Sequence, residues 1–125
     1  MVIVSKSKDN AETADAPTAL LPAVFHILLV LADGEAHGYG IMQEIEQLTQ
    51  GQTRLGPGTL YRSIQRMLVD GLIEQLSIAP YDEADDDRRR YYRLTRAGRA
   101  AAKREAQRLA HLVQMARRAK LLGSA

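Results

Sequence analysis

The stretch that decides the fold reads GPGTLYRSIQRMLVDGLIE from Gly56 to Glu74, and RRRYYRLT from Arg88 to Thr95 follows it. Pro57 suits the first position of a helix, and Gly71 is suited to close that helix before a strand. The second stretch predicts a return strand rich in arginine. A short helix followed by such a hairpin is typical of a winged helix-turn-helix. We therefore expect a mostly α fold with a small β-hairpin wing.

The helix predicted to begin at Pro57 has one apolar and one polar side. Its apolar residues recur at helical spacing and predict a buried stripe of Leu60, Ile64, Met67 and Leu68. At 100° per residue, Arg62 falls almost opposite this stripe. Thr59 and Arg66 lie on the same outer side of the helix. Gln65 and Val69 border that side, and Tyr61 and Ser63 lie on its flanks. Arginine pairs bidentately with guanine and glutamine with adenine. The face therefore suits the reading of base edges, although an ordinary solvated face has the same pattern.

The predicted wing combines a basic strand with an acidic tip. The first strand spans residues 72–78, and we expect Leu72, Leu76 and Ile78 on one face of it. An acidic loop over 79–87 then leads into Arg88, Arg89 and Arg90. These arginines either grip a phosphate backbone or only neutralise Asp85, Asp86 and Asp87. The neighbouring helix favours the contact with DNA, and like-charge repulsion predicts that the acidic tip points away from it.

Two earlier helices are expected to complete the domain. The first spans about 18–32 and is apolar on nearly every face, which is typical of a central helix or one shared with a partner chain. The second follows His37-Gly38-Tyr39-Gly40, places Ile41, Ile45 and Leu48 on one stripe, and is closed by Gly51. The polar, aperiodic residues 1–17 predict a disordered arm. We assign residues 18–95 to a winged-helix DNA-binding domain.

A long last helix is predicted from about Thr95, a residue type suited to cap its start, to Leu122, and it carries a wide apolar face. The residues expected to mediate dimerisation on this face are Ala106, Leu109, Leu112, Val113 and Ala116. An exposed helix with such a face risks association in water, so either a partner chain or the chain's own domain must cover it. We favour a face shared between both, and assign residues 96–125 to a dimerisation helix.

Composition narrows the function further. Residues 1–53 carry a formal charge of −5 and residues 54–125 one of +7, so the basic half points to a polyanionic partner. The chain has no cysteine, its three histidines lack metal-ligand spacing, and no nucleophile lies beside a base. We expect no enzyme activity, metal or cofactor. No apolar run is long enough to span a membrane, and a cytoplasmic location is expected.

The motifs together resemble the PadR family of transcriptional regulators. They are His37-Gly38-Tyr39-Gly40-Ile41, Gly58-Thr59-Leu60-Tyr61-Arg62, Asp70-Gly71-Leu72-Ile73, Arg89-Arg90-Tyr91-Tyr92-Arg93-Leu94-Thr95 and Ala97-Gly98. The resemblance implies a dimeric repressor released by a small molecule, in the shorter form with one C-terminal dimerisation helix. It also places Tyr39, Thr59, Tyr61 and Arg62 at or near DNA. Leu55-Gly56-Pro57 stands where the family more usually has a polar cap residue. The chain has no tryptophan, so the resemblance does not imply the pair of aromatic rings that holds a drug between them in some relatives.

These observations predict a sequence-specific, DNA-binding transcriptional regulator that acts as a homodimeric repressor. Its expected partners are double-stranded operator DNA, a second copy of the chain and a small-molecule effector. The residues predicted to contact DNA are Tyr39, Thr59, Tyr61, Arg62, Ser63, Arg66, Arg88, Arg89 and Arg90. The alternative is a winged helix that docks a protein without binding DNA.

Overall fold

The structure, a computed structural model, describes residues 19–76 and 90–123. Its elements follow the order α1 (Pro22–Ala32), β1 (Ala36–His37), α2 (Gly38–Leu48), α3 (Pro57–Val69), β2 (Ile73–Gln75), β3 (Tyr91–Leu94) and α4 (Arg96–Arg118). The three strands form an antiparallel sheet in the order β1-β3-β2. The predicted fold class, mostly helical with a small sheet and a long last helix, is confirmed. The predicted arm over 1–17 lies outside the described residues.

Helix α1 supplies the centre of the core. Ile27 and Leu28 are completely buried, and Leu31 nearly so. The helix begins at Pro22 and not at about Thr18 as predicted. A residue before proline is driven out of the α region, and Leu21 is accordingly extended with ψ of 143°. The helix is less evenly buried than its composition suggested, because Leu29 remains 44% exposed.

Helix α2 begins earlier than predicted, at Gly38, because His37 caps it. The His37 Nδ1 accepts a hydrogen bond from the Gly40 N–H at 2.9 Å. Ile41 and Ile45 are buried as expected, whereas Leu48, in the last turn, is 60% exposed. Gly51 closes the helix as predicted: its φ is +81° and its N–H bonds to the Glu46 carbonyl at 2.8 Å.

Helix α3 begins at Pro57 as predicted and buries Leu60, Ile64 and Met67 completely, while Leu68 is half-buried. The predicted phase of the following strand was wrong. The Leu72 N–H still bonds to the Met67 carbonyl at 2.9 Å, so Leu72 belongs to the turn. The strand begins at Ile73, which is the buried residue. A shift of one residue exchanges the two faces of a strand. Of the other predicted positions, Leu76 is half-buried and Ile78 lies outside the described residues.

Strand β3 leads directly into α4 through Thr95. Its register pairs Ile73 with Leu94 on one side and His37 with Tyr91 on the other. The Thr95 hydroxyl accepts a hydrogen bond from the Gly98 N–H at 3.0 Å, which confirms the predicted cap. Helix α4 ends at Arg118, before the predicted Leu122, because Lys120 adopts a positive φ of 63°.

The chain divides into two compact units. One is Leu21–Ala102, and the other includes Lys103–Ala125. The first holds all three strands and helices α1 to α3, so every residue of α3 discussed below belongs to one unit. Across residues 19–76 and 90–123, no helix has the length and hydropathy needed to cross a membrane.

Candidate nucleic-acid interface

The outer face of α3 is open to solvent along its whole length. Thr59, Arg62, Gln65 and Arg66 are all exposed, and they lie opposite the completely buried Leu60, Ile64 and Met67. A shallow groove of about 690 Å³ follows this face and is lined by Gly58, Tyr61, Arg62, Gln65, Arg66 and Val69. Packing of the apolar stripe into the core thus fixes which side chains α3 presents outward.

The two arginines of this face differ in their surroundings. Arg62 folds toward the first turn of the helix, where its Nη1 lies 3.3 Å from the position a Cβ would take at Gly58. No ion pair joins Arg62 to any residue in the described ranges. Arg66 instead pairs with Asp70 one turn later, with 3.3 Å between Nε and Oδ2. Arg62 is therefore the more available donor of the two.

Tyr61 and Ser63 lie on the flanks of α3, as the sequence indicated, and both are half-buried. The Tyr61 ring turns inward over the start of α2, and its hydroxyl oxygen is buried. A Cβ at Gly38 would lie 2.8 Å from the Tyr61 Cζ. In this conformation Tyr61 joins α2 to α3, and its hydroxyl does not reach the outer face.

Tyr39 lies in the first turn of α2 and is 46% exposed. Its position follows from His37, whose ring caps the helix and also contacts Tyr91 of β3 edge-on, with 5.2 Å between centroids. One imidazole thus links the first turn of α2 to the wing strand.

The wing contributes fewer described residues. Arg90 is half-buried, whereas Arg88 and Arg89 lie outside the described residues. Arg93 of β3 pairs with Glu74 of β2 at 2.6 Å and with Glu35 at 3.9 Å. The hydrogen bond from Arg93 to Glu74 raises the pKa of the guanidinium above its ordinary value. Arg93 therefore ties the strands together across the exposed side of the sheet.

The residues predicted for dimerisation lie along the later turns of α4. Leu112 is 45% exposed and Val113 39%. Ala106 is exposed, while Leu109 and Ala116 are half-buried. Met115, on the same helix, is 48% exposed. The single chain thus leaves most of this apolar stripe in contact with water.

Comparison with known proteins shows which family has this arrangement. The model of the transcriptional regulator PadR-like family matches residues 27–104, which is more than half of the chain. The chain belongs to the PadR-like family. The match runs from α1 into α4 and includes all of α2, α3 and the described sheet.

Individual relatives agree with this assignment. The chain is 42% identical over 76 residues to the transcriptional regulator Rv3488 of Mycobacterium tuberculosis, covering 61% of this chain and 64% of that one. It spans less than two thirds of the length of three curated relatives, Rv3488 included.

Solved structures share the PadR-like fold. A transcriptional regulator from Clostridium thermocellum superposes with a TM-score of 0.66 and 24% identity, over 77% of this chain and 87% of that one. Bacillus subtilis PadR, solved in complex with operator DNA, gives 0.57 and 18% identity, over 66% of this chain and 45% of that one. At these identities the likeness shows the winged-helix fold.

Sequence reasoning missed several pairings of this PadR-like chain. The Arg66–Asp70 pair has the i, i+4 spacing typical of helix ion pairs, so the sequence contained that signal. Glu46 of α2 pairs with Arg54 of the following turn at 3.2 Å, which no spacing rule indicates.

A buried carboxylate was also missed. Glu105 is only 4% exposed and accepts hydrogen bonds from Arg108 at 2.6 and 2.9 Å and from the Leu20 N–H at 3.3 Å. The bond from Arg108 lowers the pKa of the Glu105 carboxyl, although burial opposes this shift. No cluster of three or more potential metal ligands occurs among residues 19–76 and 90–123.

Proposed function

We propose that this PadR-like chain is a sequence-specific DNA-binding repressor that acts as a homodimer. The observation that carries this proposal is the outer face of α3, where Arg62, Gln65 and Arg66 are exposed directly opposite the buried stripe. Such a helix enters the major groove in winged-helix and related proteins. The complex of Bacillus subtilis PadR with operator DNA, a protein of the same fold, supports a DNA partner here.

Contacts divide between bases and backbone in this proposal. Arg62 reads a base, because its guanidinium is exposed and has no ion pair with a described residue. Thr59 and Ser63 border it, and Tyr39 contacts the backbone from the first turn of α2. Arg88, Arg89 and Arg90 bind phosphates from the wing, which adds affinity without base information. Tyr61 acts from behind this surface by fixing the angle between α2 and α3.

The dimer completes the binding unit. One winged helix covers one half-site, and two copies related by a two-fold axis read half-sites about one helical turn apart. The exposed apolar stripe on α4, with Leu112, Val113 and Met115, suits a second copy of the same helix. Residues 18–95 thus bind DNA and residues 96–125 dimerise. The family resemblance further supports a small-molecule effector, which would release DNA by changing the spacing of the two α3 helices.

A protein-docking winged helix without DNA binding is the competing function. Such a module needs no exposed base-reading arginine on α3 and no run of arginines in the wing. A gel-shift experiment separates the two functions. The DNA upstream of the protein's own gene is compared with an unrelated duplex of equal length, at about 50 and 200 mM salt.

A repressor should shift the upstream DNA at lower protein concentration than the unrelated duplex, and should retain this preference at the higher salt. Equal shifts of both duplexes that disappear together at the higher salt would show that the binding is electrostatic and not sequence-specific. No shift of either duplex by a folded protein would favour the protein-docking module.

A further inference from the structure

Asp70 lies at the carboxyl end of α3 and holds one of the two outward arginines. Its Oδ2 lies 3.3 Å from the Arg66 Nε, and the two side chains remain 48% and 75% exposed. The backbone N–H of Asp70 bonds to the Arg66 carbonyl at 2.9 Å, so both residues belong to the same last turn. The pair therefore lies on the surface that the proposed function directs toward DNA.

The helix itself gains little from an acid at this position. Carboxylates are disfavoured near a helix carboxyl end, where the helix dipole is negative. An exposed i, i+4 ion pair contributes little to stability. The main effect of Asp70 is therefore on the charge that α3 presents outward.

A phosphate group competes with this carboxylate for Arg66. Both are anions that a guanidinium binds through charge-assisted hydrogen bonds, and a phosphate approaching the last turn of α3 also meets the negative charge of Asp70. A base edge carries no full charge, so the carboxylate repels it far less. With its Nε held by Asp70, Arg66 still has its terminal nitrogens for a base.

We propose that Asp70 determines specificity by withholding Arg66 from phosphates. This inference rests on the proposed function, because it assumes that the outer face of α3 meets DNA. No acidic side chain among the described residues pairs with Arg62 as Asp70 pairs with Arg66. Only Arg66 is therefore kept from phosphates. Arg62 contributes to both specific and non-specific binding, whereas Arg66 contributes little to non-specific binding while Asp70 is present.

The test uses the full chain with Asp70→Asn, Arg66→Ala and the double variant. Asparagine keeps the shape of the side chain and removes its charge. Glu44→Gln on α2 is the matched control, because it removes the same charge from an exposed side chain without an ion pair to any described residue. Binding is titrated against two duplexes at several salt concentrations: one selected by the wild-type protein from a randomised pool, and one unselected.

Asp70→Asn should tighten binding to the unselected duplex about fivefold and steepen its salt dependence by about one unit of slope, since one more phosphate is neutralised. Its affinity for the selected duplex should change about twofold or less, because Arg66 contacts a base there whether or not residue 70 carries a charge. In the Arg66→Ala background the same substitution should have a much smaller effect, because only the direct repulsion between Asp70 and a phosphate is then removed, and Glu44→Gln should resemble the wild type.

Three results would overturn the inference. The first is an unchanged preference for the selected duplex in Asp70→Asn. The second is an equal gain in the Arg66→Ala background, which would make the effect one of overall charge. The third is a failure of the wild type itself to select any duplex from the pool. That third result would remove the proposed function as well, whereas the first two would leave it intact.

Discussion

Tyr61 of α3 lies so close to Gly38 of α2 that position 38 has no room for a side chain. A Cβ at Gly38 would lie 2.8 Å from the Tyr61 Cζ and 2.9 Å from its Cε1. Real side-chain atoms avoid such distances, so the aromatic ring and the glycine together fix the approach of the two helices. Because α3 carries the outward arginines, this contact determines how that face is presented.

Gly38→Ala should therefore destabilise the fold by about 1–3 kcal/mol, as overpacking does in well-packed cores. Chemical denaturation measures the loss. The control is Gly123→Ala, where an added Cβ meets nothing within 4 Å and the change should stay within about 0.5 kcal/mol. The Tyr61→Leu background should reduce the cost of the alanine. A cost that is unchanged in that background would mean that Tyr61 is not the obstacle.

Arg62→Ala should weaken binding to a specific operator by about 1–3 kcal/mol and relax discrimination at one base position. The reason is that the Arg62 guanidinium is exposed opposite the buried stripe and unpaired within the described ranges. Competition binding against operator variants mutated at single positions measures the effect. Arg104→Ala, on an exposed position of α4, removes the same charge away from α3 and should leave base discrimination intact. Equal weakening on specific and random DNA would instead make Arg62 a phosphate contact.

Val113→Asp should dissociate the proposed dimer and thereby reduce operator binding. The substitution buries an unpaired carboxylate in the interface, which costs several kcal/mol and raises the dimer dissociation constant by about a hundredfold or more. Sedimentation at micromolar concentration measures the oligomeric state. Gln114→Asp adds the same charge at the next, exposed residue and should remain dimeric.

Two outcomes would contradict the role of α4. A folded, dimeric Val113→Asp variant would show that this stripe is not the dimer interface. A monomeric variant that binds the operator at full affinity would show that DNA binding does not require the dimer.

The Glu105–Arg108 pair should make stability sensitive to acid. Its hydrogen bond lowers the pKa of Glu105 in the folded chain below the ordinary value of 4.5. The stabilisation is therefore fully present above about pH 4.5 and is lost as the pH falls through the lowered value. Urea denaturation between about pH 3 and 6 measures this dependence. Glu105→Gln should lose stability at pH 6 and show a flatter profile, whereas parallel profiles would exclude the pair as a source of acid sensitivity.

The sequence predicted those parts of the fold that depend on periodic patterns and strong local signals. Pro57 marked the start of α3, and the spacing of Leu60, Ile64 and Met67 gave its buried face. Arg62 followed directly from that face. Thr95 showed a recognisable cap, and Gly51 a recognisable end.

Other features depended on contacts that local patterns do not encode. Strand β1 has two residues, too few for any alternation, and exists because His37 pairs with Tyr91. The phase of β2 depended on whether Leu72 still bonded back to Met67. Glu105 looked like any surface glutamate, and neither its burial nor its hydrogen bond from Leu20, far away in sequence, follows from a local pattern.

Thr95 also has a mechanical consequence. Its hydroxyl donates to the Gly71 carbonyl at 2.6 Å while accepting from the Gly98 N–H, and Gly98 leaves no room for a Cβ against the Leu72 carbonyl. The end of α3 and the start of α4 are thus fastened at one joint. Both hydrogen bonds of the Thr95 hydroxyl lie within the unit Leu21–Ala102. Loss of this one hydroxyl would therefore remove both bonds at once.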